Sequence, residues 1–358
     1  MSAPGPAEQV AFLQHLQRLL SDGSFVATYK FALLHALADL AVLHGDDSGA
    51  ELTLSRRDIA AEIIKLYWRQ AFPFRGGDEG GPHVLKQNTG RQAAILRKIL
   101  EAQERGGPSL VGNRRRAEAW ERLVREVGEI VWDDPRKRLQ TVGSESLPFL
   151  YENVGAGSSI TLRPGVAFCL RAFYPLVVDL VRGAWLRHVR ARNAPLMGEG
   201  VDLAAFLFGT GRASLAAYQP ILADVQSGAC FYCRGALRGA GEVDHFIPWA
   251  RFQMDLGHNF VLAHATCNRY KSDHLADERH LERWIGRNDA HASHLASAFD
   301  AAGLPYSAPT TLSIGQWAYE HTSRIRGPVW EERRHFHALA PGWESLFGTP
   351  SQGVAARV

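Results

Sequence analysis

The chain has 358 residues, more than one hydrophobic core comfortably supports, so two or three domains are expected. With 46% hydrophobic and 22% charged residues it can build packed cores, which excludes an intrinsically disordered polymer. A net charge of +3 permits a polyanionic partner without requiring one, so the partner has to be argued from a site.

Amphipathic helices are predicted over about 7–20 and 25–44, the second carrying Phe31, Leu34, Ala38 and Val42 on one face, with Ser21 or Ser24 as N-cap. A third runs over about 56–71 and is ended by the Gly-rich stretch 75–81. Helical patterning returns over 92–103 and 117–132, then loosely alternating residues around Gly155-Ala156-Gly157 predict a short β-hairpin over 147–162. Beyond Pro164 a single long helix is expected over 166–192, followed by the best linker signal, Asn193-Ala194-Pro195 with Gly198 and Gly200. Further helices are predicted over 214–226 and from Glu278 onwards. The basic runs Arg114-Arg115-Arg116 and Arg136-Lys137-Arg138 are candidates for a phosphate-tracking surface, diluted by Glu118, Glu121, Asp133 and Asp134. The expectation is a mainly α protein: a helical N-terminal domain over 1–200 of unassigned role, a second domain over 201–290, and a helical C-terminal extension over 291–358 with a frayed tail past Pro350.

The N-terminus shows no basic segment leading into an apolar one, so no secretory signal is expected. The longest apolar stretch, Val166 to Val181, is interrupted by Arg171 and Asp179 and is too short to span a bilayer. Three of the four cysteines fall in one segment, and Cys169 stands alone in an apolar helix; this usage suits a reducing compartment rather than a disulfide scaffold. A cytoplasmic protein without membrane association is expected.

That cysteine-bearing segment carries the chemistry. Cys230-x-x-Cys233, answered by His264-x-x-Cys267, has the pairing and spacing of a closed tetrahedral zinc site. Between and beyond the two half-sites stand Asp244-His245, with Pro248 closing that motif, then Asn259 and Asn268. The spacing resembles the HNH endonuclease family, whose ββα-metal fold presents a strand, a loop and a helix around one catalytic metal; the resemblance covers roughly Cys230 to His274. The Asp-His pair matches the family's strand-end pair, Asn259 its loop asparagine, and Asn268 the helix position. The last letter is therefore N rather than H, a variant similar to the HNH domains of CRISPR effector nucleases.

Hydrolysis of a phosphodiester needs a nucleophile made from water, neutralised phosphoryl charge and a stabilised leaving oxygen. A neutral imidazole accepts a proton at physiological pH, which makes His245 the expected general base. Asp244 and Asn268 would hold one hard divalent cation through side-chain oxygens, magnesium or manganese, with zinc as the structural ion. By resemblance, Asn259 makes no bonds to substrate but ties the loop that aims the imidazole. Giving His264 the third letter of the motif instead would leave the zinc three protein ligands and place that ligand too soon after Asn259 for the helix position. Lys271 and Arg269 are placed to meet phosphates, and Trp249 and Arg251 to stack on or pin a strand.

The resemblance implies DNA as substrate, cleavage leaving a 5′-phosphate, and a setting such as restriction or phage defence. Two rival classes use the same features: a zinc-stapled module that binds nucleic acid or protein without cutting, and a nuclease directed at RNA. The Asp244-His245 pair speaks against the pure binder, which has no need of a general base beside a metal ligand.

Overall fold

The structure, a computed structural model, describes residues 2–23, 25–74, 83–90, 93–152, 157–197, 202–209, 212–253 and 255–348. Among them the fold is mainly helical with short two-stranded antiparallel sheets, and the chain divides into two compact units, Met1–Thr210 and Gly211–Val358, against an expected boundary near 200. No helix among the described residues is long and apolar enough to cross a membrane.

The first unit is organised around Tyr29–His44, a helix buried at every position from Lys30 to Val42. A helix apolar all round has no solvent face to spare, so Arg56–Trp68, Val166–Ala172 and Tyr174–Arg192 pack against it. Two of its polar exceptions meet partners inside the fold. Tyr174 Oη donates to Asp39 Oδ1 at 2.6 Å and His35 lies 3.3 Å from Asp39 Oδ2. Burial alone would raise the Asp39 carboxyl, but His35, Lys65 and the Tyr174 phenol outweigh it and hold it well below the usual carboxylate range.

Several expected elements take different forms. The helix over 166–192 is two helices, because Pro175 cannot donate a backbone hydrogen bond and so starts a new helix after Phe173. Ser159–Leu162 does not close a local hairpin. It pairs antiparallel with Leu52–Ser55, Leu162 opposite Leu52, burying Ile160 and Leu162; within 147–162 itself only a single bridge, Tyr151 to Leu162, is present among the described residues. Of the two expected caps, Ser21 lies inside the helix Pro6–Asp22 and Ser24 lies outside the described residues, as do the Gly-rich stretch 75–81, the linker glycines 198 and 200, and the tail past 350. The two basic runs are largely engaged: Arg114 stacks on Trp120, Arg136 is buried over Trp132, and Lys137 and Arg138 pair with Asp133 and Asp134.

In the second unit, the helix expected over 214–226 is a 3₁₀ turn, Arg212–Tyr218, running into Gln219–Val225, with Pro220 at the start of the α-helical part. The antiparallel strands Glu242–His245 and Phe260–Ala263 follow, Asp244 opposite Val261 and His245 opposite Phe260, then the short helix Ala265–Lys271, here called the site helix. Phe260 and Leu262 belong to a core with Tyr218, Leu222, Leu295, Phe299 and Leu304.

The helix Glu278–Ala290 clasps this substructure from behind. Trp284 stacks on Phe246 at 4.8 Å, and its indole donates to His258 O. Arg287, wholly buried among backbone carbonyls, donates to Phe260 O and His258 O at 2.6 and 2.9 Å. The C-terminal segment is more than a helical extension. Pro328–Glu332 and His335–Ala338 form a hairpin, and Trp330 bridges to Ala276 through hydrogen bonds to Leu275 and Asp277. Tyr319 Oη also donates to Ala276 O, so this segment pins the chain that leaves the site helix.

Two predictions follow from this packing. A Cβ at Gly257 would sit 2.6 Å from ring atoms of the fully buried Phe299, so Gly257→Ala should destabilise the second unit by about 1–3 kcal/mol in denaturant unfolding. His258 is held neutral, its pKa lowered to about 4 by burial and then by Arg287. The unfolded chain therefore takes up that proton first as pH falls. The stability contribution is complete above the ordinary value of about 6.5 and drains away towards pH 4. Melting temperature should drop across that window, and His258→Gln should flatten the drop.

Candidate active site

The knuckle is built by local backbone. Cys230 N–H donates to Gly235 O and Arg234 N–H to Cys230 O, at 2.9 and 3.0 Å, with Arg234 in the left-handed region at φ 64°. This turn brings Cys233 Sγ to 3.3 Å from His264 Nδ1, while His264 N–H donates to Cys230 Sγ at 3.3 Å. The ligand atoms of Cys230, Cys233, His264 and Cys267 all lie within 4.8 Å of one another. A tetrahedron with Zn–S near 2.3 Å and Zn–N near 2.0 Å has edges of about 3.5–3.8 Å, so the set needs little adjustment. His264 Nε2 lies 3.2 Å from Ala236 O; donating there leaves Nδ1 its lone pair for a metal.

The electrostatics also call for a cation. Burial, and then the neighbouring sulfurs of Cys230 and Cys233, push the Cys267 thiol up to about 12. Burial opposes ionisation of Cys233 too, but the Gly235 backbone donor, His264 and the other thiols outweigh it and lower its pKa. Thiols this crowded cannot ionise together without positive charge between them. The chemistry and spacing of the donor set fit zinc.

Asp244 and His245 end the first strand and meet different surroundings. The imidazole lies against Phe260 and Trp249, ring centroids 4.8 and 5.5 Å away, and its Nε2 is 2.7 Å from Asp255 Oδ1. An ionised carboxylate can only accept, so Nε2 carries the proton and Nδ1 the lone pair. Nδ1 makes no hydrogen bond among the described residues. Asn259 holds the loop just beyond: its Oδ1 accepts from Ile247 N–H at 2.8 Å, its Nδ2 donates to Ile247 O at 3.0 Å, and its own carbonyl accepts from Phe246 N–H.

Asp244 is 9% exposed; its Oδ2 accepts from Tyr232 Oη at 2.5 Å and forms an ion pair with Lys271 Nζ at 3.1 Å. Both contacts fall on the same oxygen, leaving Oδ1 unengaged among the described residues. Burial first, then the Asp244 charge, raises the Tyr232 phenol well above its ordinary value, so it is a permanent donor. Glu242, two residues earlier on the same strand face, accepts from Asn268 Nδ2 at 3.0 Å. The site helix thus lies along that face: Asn268 reaches Glu242, and Lys271, about one turn later, reaches Asp244. Asn268 Oδ1 has no partner among the described residues. The two oxygens, one carboxylate and one amide, are the hard donors a magnesium-like cation takes.

The other predicted contacts divide. Lys271 does not reach out to a phosphate. It is fully buried, donating to His245 O at 2.9 Å, pairing with Asp244 and lying over the Tyr232 ring. Trp249 is half-buried against His245, and Arg251 is half-buried with its pKa lowered by desolvation; Arg269 is exposed. Tyr232, Glu242, Asp255 and Arg283, whose guanidinium donates to Phe231 O and Tyr232 O, were not singled out from sequence. Only Tyr232 carried a signal there, as an aromatic residue between two metal-ligand cysteines.

Residues 234–276 match a family model described as HNH endonuclease. The match begins directly after Cys233, so the first half of the knuckle lies outside it. No curated protein and no solved structure matches the chain. Over that segment the chain is similar to HNH endonucleases, a likeness that suggests a nucleic-acid substrate and a divalent metal.

Metal removal tests the knuckle. Structural zinc contributes about 10–16 kcal/mol of apparent folding free energy in small fingers. Cys233→Ser should therefore lower zinc content in elemental analysis and cost the second unit its cooperative melt; a variant that keeps its zinc would mean the knuckle is misassigned.

Proposed function

We propose that the chain is a metal-dependent HNH endonuclease that hydrolyses DNA phosphodiester bonds, with a structural zinc in the knuckle and a magnesium or manganese ion held by Asp244 and Asn268. One observation carries this reading. At a single strand end, an imidazole whose lone-pair nitrogen is unengaged among the described residues stands beside a carboxylate with one oxygen likewise unengaged among them, and each is fixed by partners the chain supplies.

In this reading His245 Nδ1 takes the proton from the attacking water, while Asp255 fixes the tautomer and steadies the imidazolium that results. Asn259 keeps the Ile247 loop in place so that the ring cannot swing off line. A divalent cation at Asp244 and Asn268 would neutralise charge on the phosphoryl oxygens and stabilise the leaving oxygen. Arg269, exposed on the site helix, is available to a neighbouring phosphate; Trp249 and Arg251 follow the same strand end. Lys271 serves the site from inside, as counter-charge to Asp244.

The measurement is cleavage of supercoiled plasmid and of tRNA, each with magnesium and with chelator. Magnesium-dependent nicking or linearisation of the plasmid is expected. Cutting confined to tRNA would make the enzyme an RNA nuclease, and binding without cutting would make it a zinc-stapled binding module. His245→Ala should reduce cleavage by about 10²–10⁴-fold with a melting temperature near wild type. Asp255→Asn, which can hold the wrong tautomer, should lower the rate at saturating magnesium without weakening DNA binding. A fully active His245→Ala protein would remove the general base from this account.

A further inference from the structure

Both donors that pin Asp244 come from the knuckle's own elements. Tyr232 lies between Cys230 and Cys233, and Lys271 lies about one turn beyond Cys267 on the site helix. Tyr232 has little freedom. Its ring is met edge-on by Phe231, Trp330 and His280 at 5.3, 5.2 and 5.4 Å, and its backbone carbonyl accepts from Arg283. A phenol so held has one accepting partner, Asp244 Oδ2. A carboxylate with a hydrogen bond and an ion pair on one oxygen cannot rotate without breaking both, so its other oxygen keeps a fixed heading.

We propose that Tyr232 is a positioning residue through which the zinc knuckle orients Asp244 for the catalytic cation, making the affinity for that cation depend on the integrity of the knuckle. This rests on the nuclease reading above. Zinc held by Cys230 and Cys233 fixes the loop between them, the loop fixes the phenol, and the phenol fixes the carboxylate. The rival role for Tyr232 is packing alone, its hydroxyl merely satisfied by the nearest acceptor. The ring contacts would serve that role equally well without the hydroxyl, which is what allows the two to be separated.

Tyr232→Phe keeps the ring and removes only the hydroxyl. In the zinc-loaded full chain, Mn²⁺ affinity measured by electron paramagnetic resonance should weaken about tenfold, the worth of one hydrogen bond to a charged group. Zinc content and melting temperature should stay at wild-type values. In plasmid cleavage, the magnesium concentration for half-maximal rate should rise by a similar factor while the rate at saturating magnesium largely recovers, a split that a packing role does not produce. Asp244→Ala serves as the reference and should abolish Mn²⁺ binding. Wild-type Mn²⁺ affinity in Tyr232→Phe, with binding lost in Asp244→Ala, overturns the positioning role and leaves the nuclease reading standing. Unchanged affinity in Asp244→Ala overturns the cation site and the proposal together. Loss of zinc from Tyr232→Phe also overturns it, since the phenol would then be supporting the knuckle rather than relaying its state.

Discussion

Two adjacent residues at one strand end, Asp244 and His245, set the demands that the rest of the second unit meets. Neighbours on a strand send their side chains to opposite faces, so one set of supports cannot serve both. The structure supplies two. Asp244 is gripped from the knuckle side by Tyr232 and Lys271, and His245 from the other side by Asp255, Phe260 and Trp249. Asn259 then stops the strand from continuing by taking both hydrogen-bonding groups of Ile247. Side chains that diverge along a regular strand can meet a common substrate where the strand ends, and the clasp on Ile247 defines that end.

The buried ion pair explains why the supports are so complete. A charge removed from water costs several kcal/mol unless hydrogen bonds and an opposite charge replace the lost solvation. Lys271 is fully buried, and it has an acceptor in His245 O, a counter-charge in Asp244 and the Tyr232 ring 5.9 Å away. Asp244 has a hydrogen bond and an ion pair on one oxygen and, among the described residues, no partner on the other. Such an arrangement is specific rather than cheap: removing either partner strands the other charge, which ties the site helix and the first strand into one cooperative piece. Behind the second strand Arg287 is a second buried cation, held by backbone acceptors instead of a counter-charge, and burial lowers its pKa to about 10.

What could be read in advance divides along the same physical line. Ligand spacings are local, so the two halves of the knuckle, the Asp-His pair and the two asparagines stood out from the sequence, and the matched segment 234–276 covers most of them. Partners with no fixed motif spacing did not. Asp255 is one acid among many until the loop folds it onto His245, and Lys271 reads as a surface cation until the sheet beneath it is known. Breaks at Pro175 and Pro220 were legible in principle, since proline cannot continue a hydrogen-bonded turn, but the apolar pattern ran through both and hid them. Ser159–Leu162 shows the reverse: its alternation marks a strand, while its partner, Leu52–Ser55, lies about a hundred residues upstream where no local signal reaches.

The two proposed metal positions are insulated by chemistry and joined by geometry. Thiolates and imidazole suit a soft or borderline ion and a carboxylate with an amide suits a hard one, so the two positions differ in the metal they prefer. The joining is covalent and short. Tyr232 is flanked by a knuckle ligand on one side and separated from the other by a single residue, and Cys267 and Asn268 are adjacent. A shift of the knuckle cannot be absorbed by slack chain before it reaches Asp244 or Asn268. Different ligand types joined through short backbone would let a small fold hold one permanent ion beside one exchangeable ion, the first setting the frame for the second.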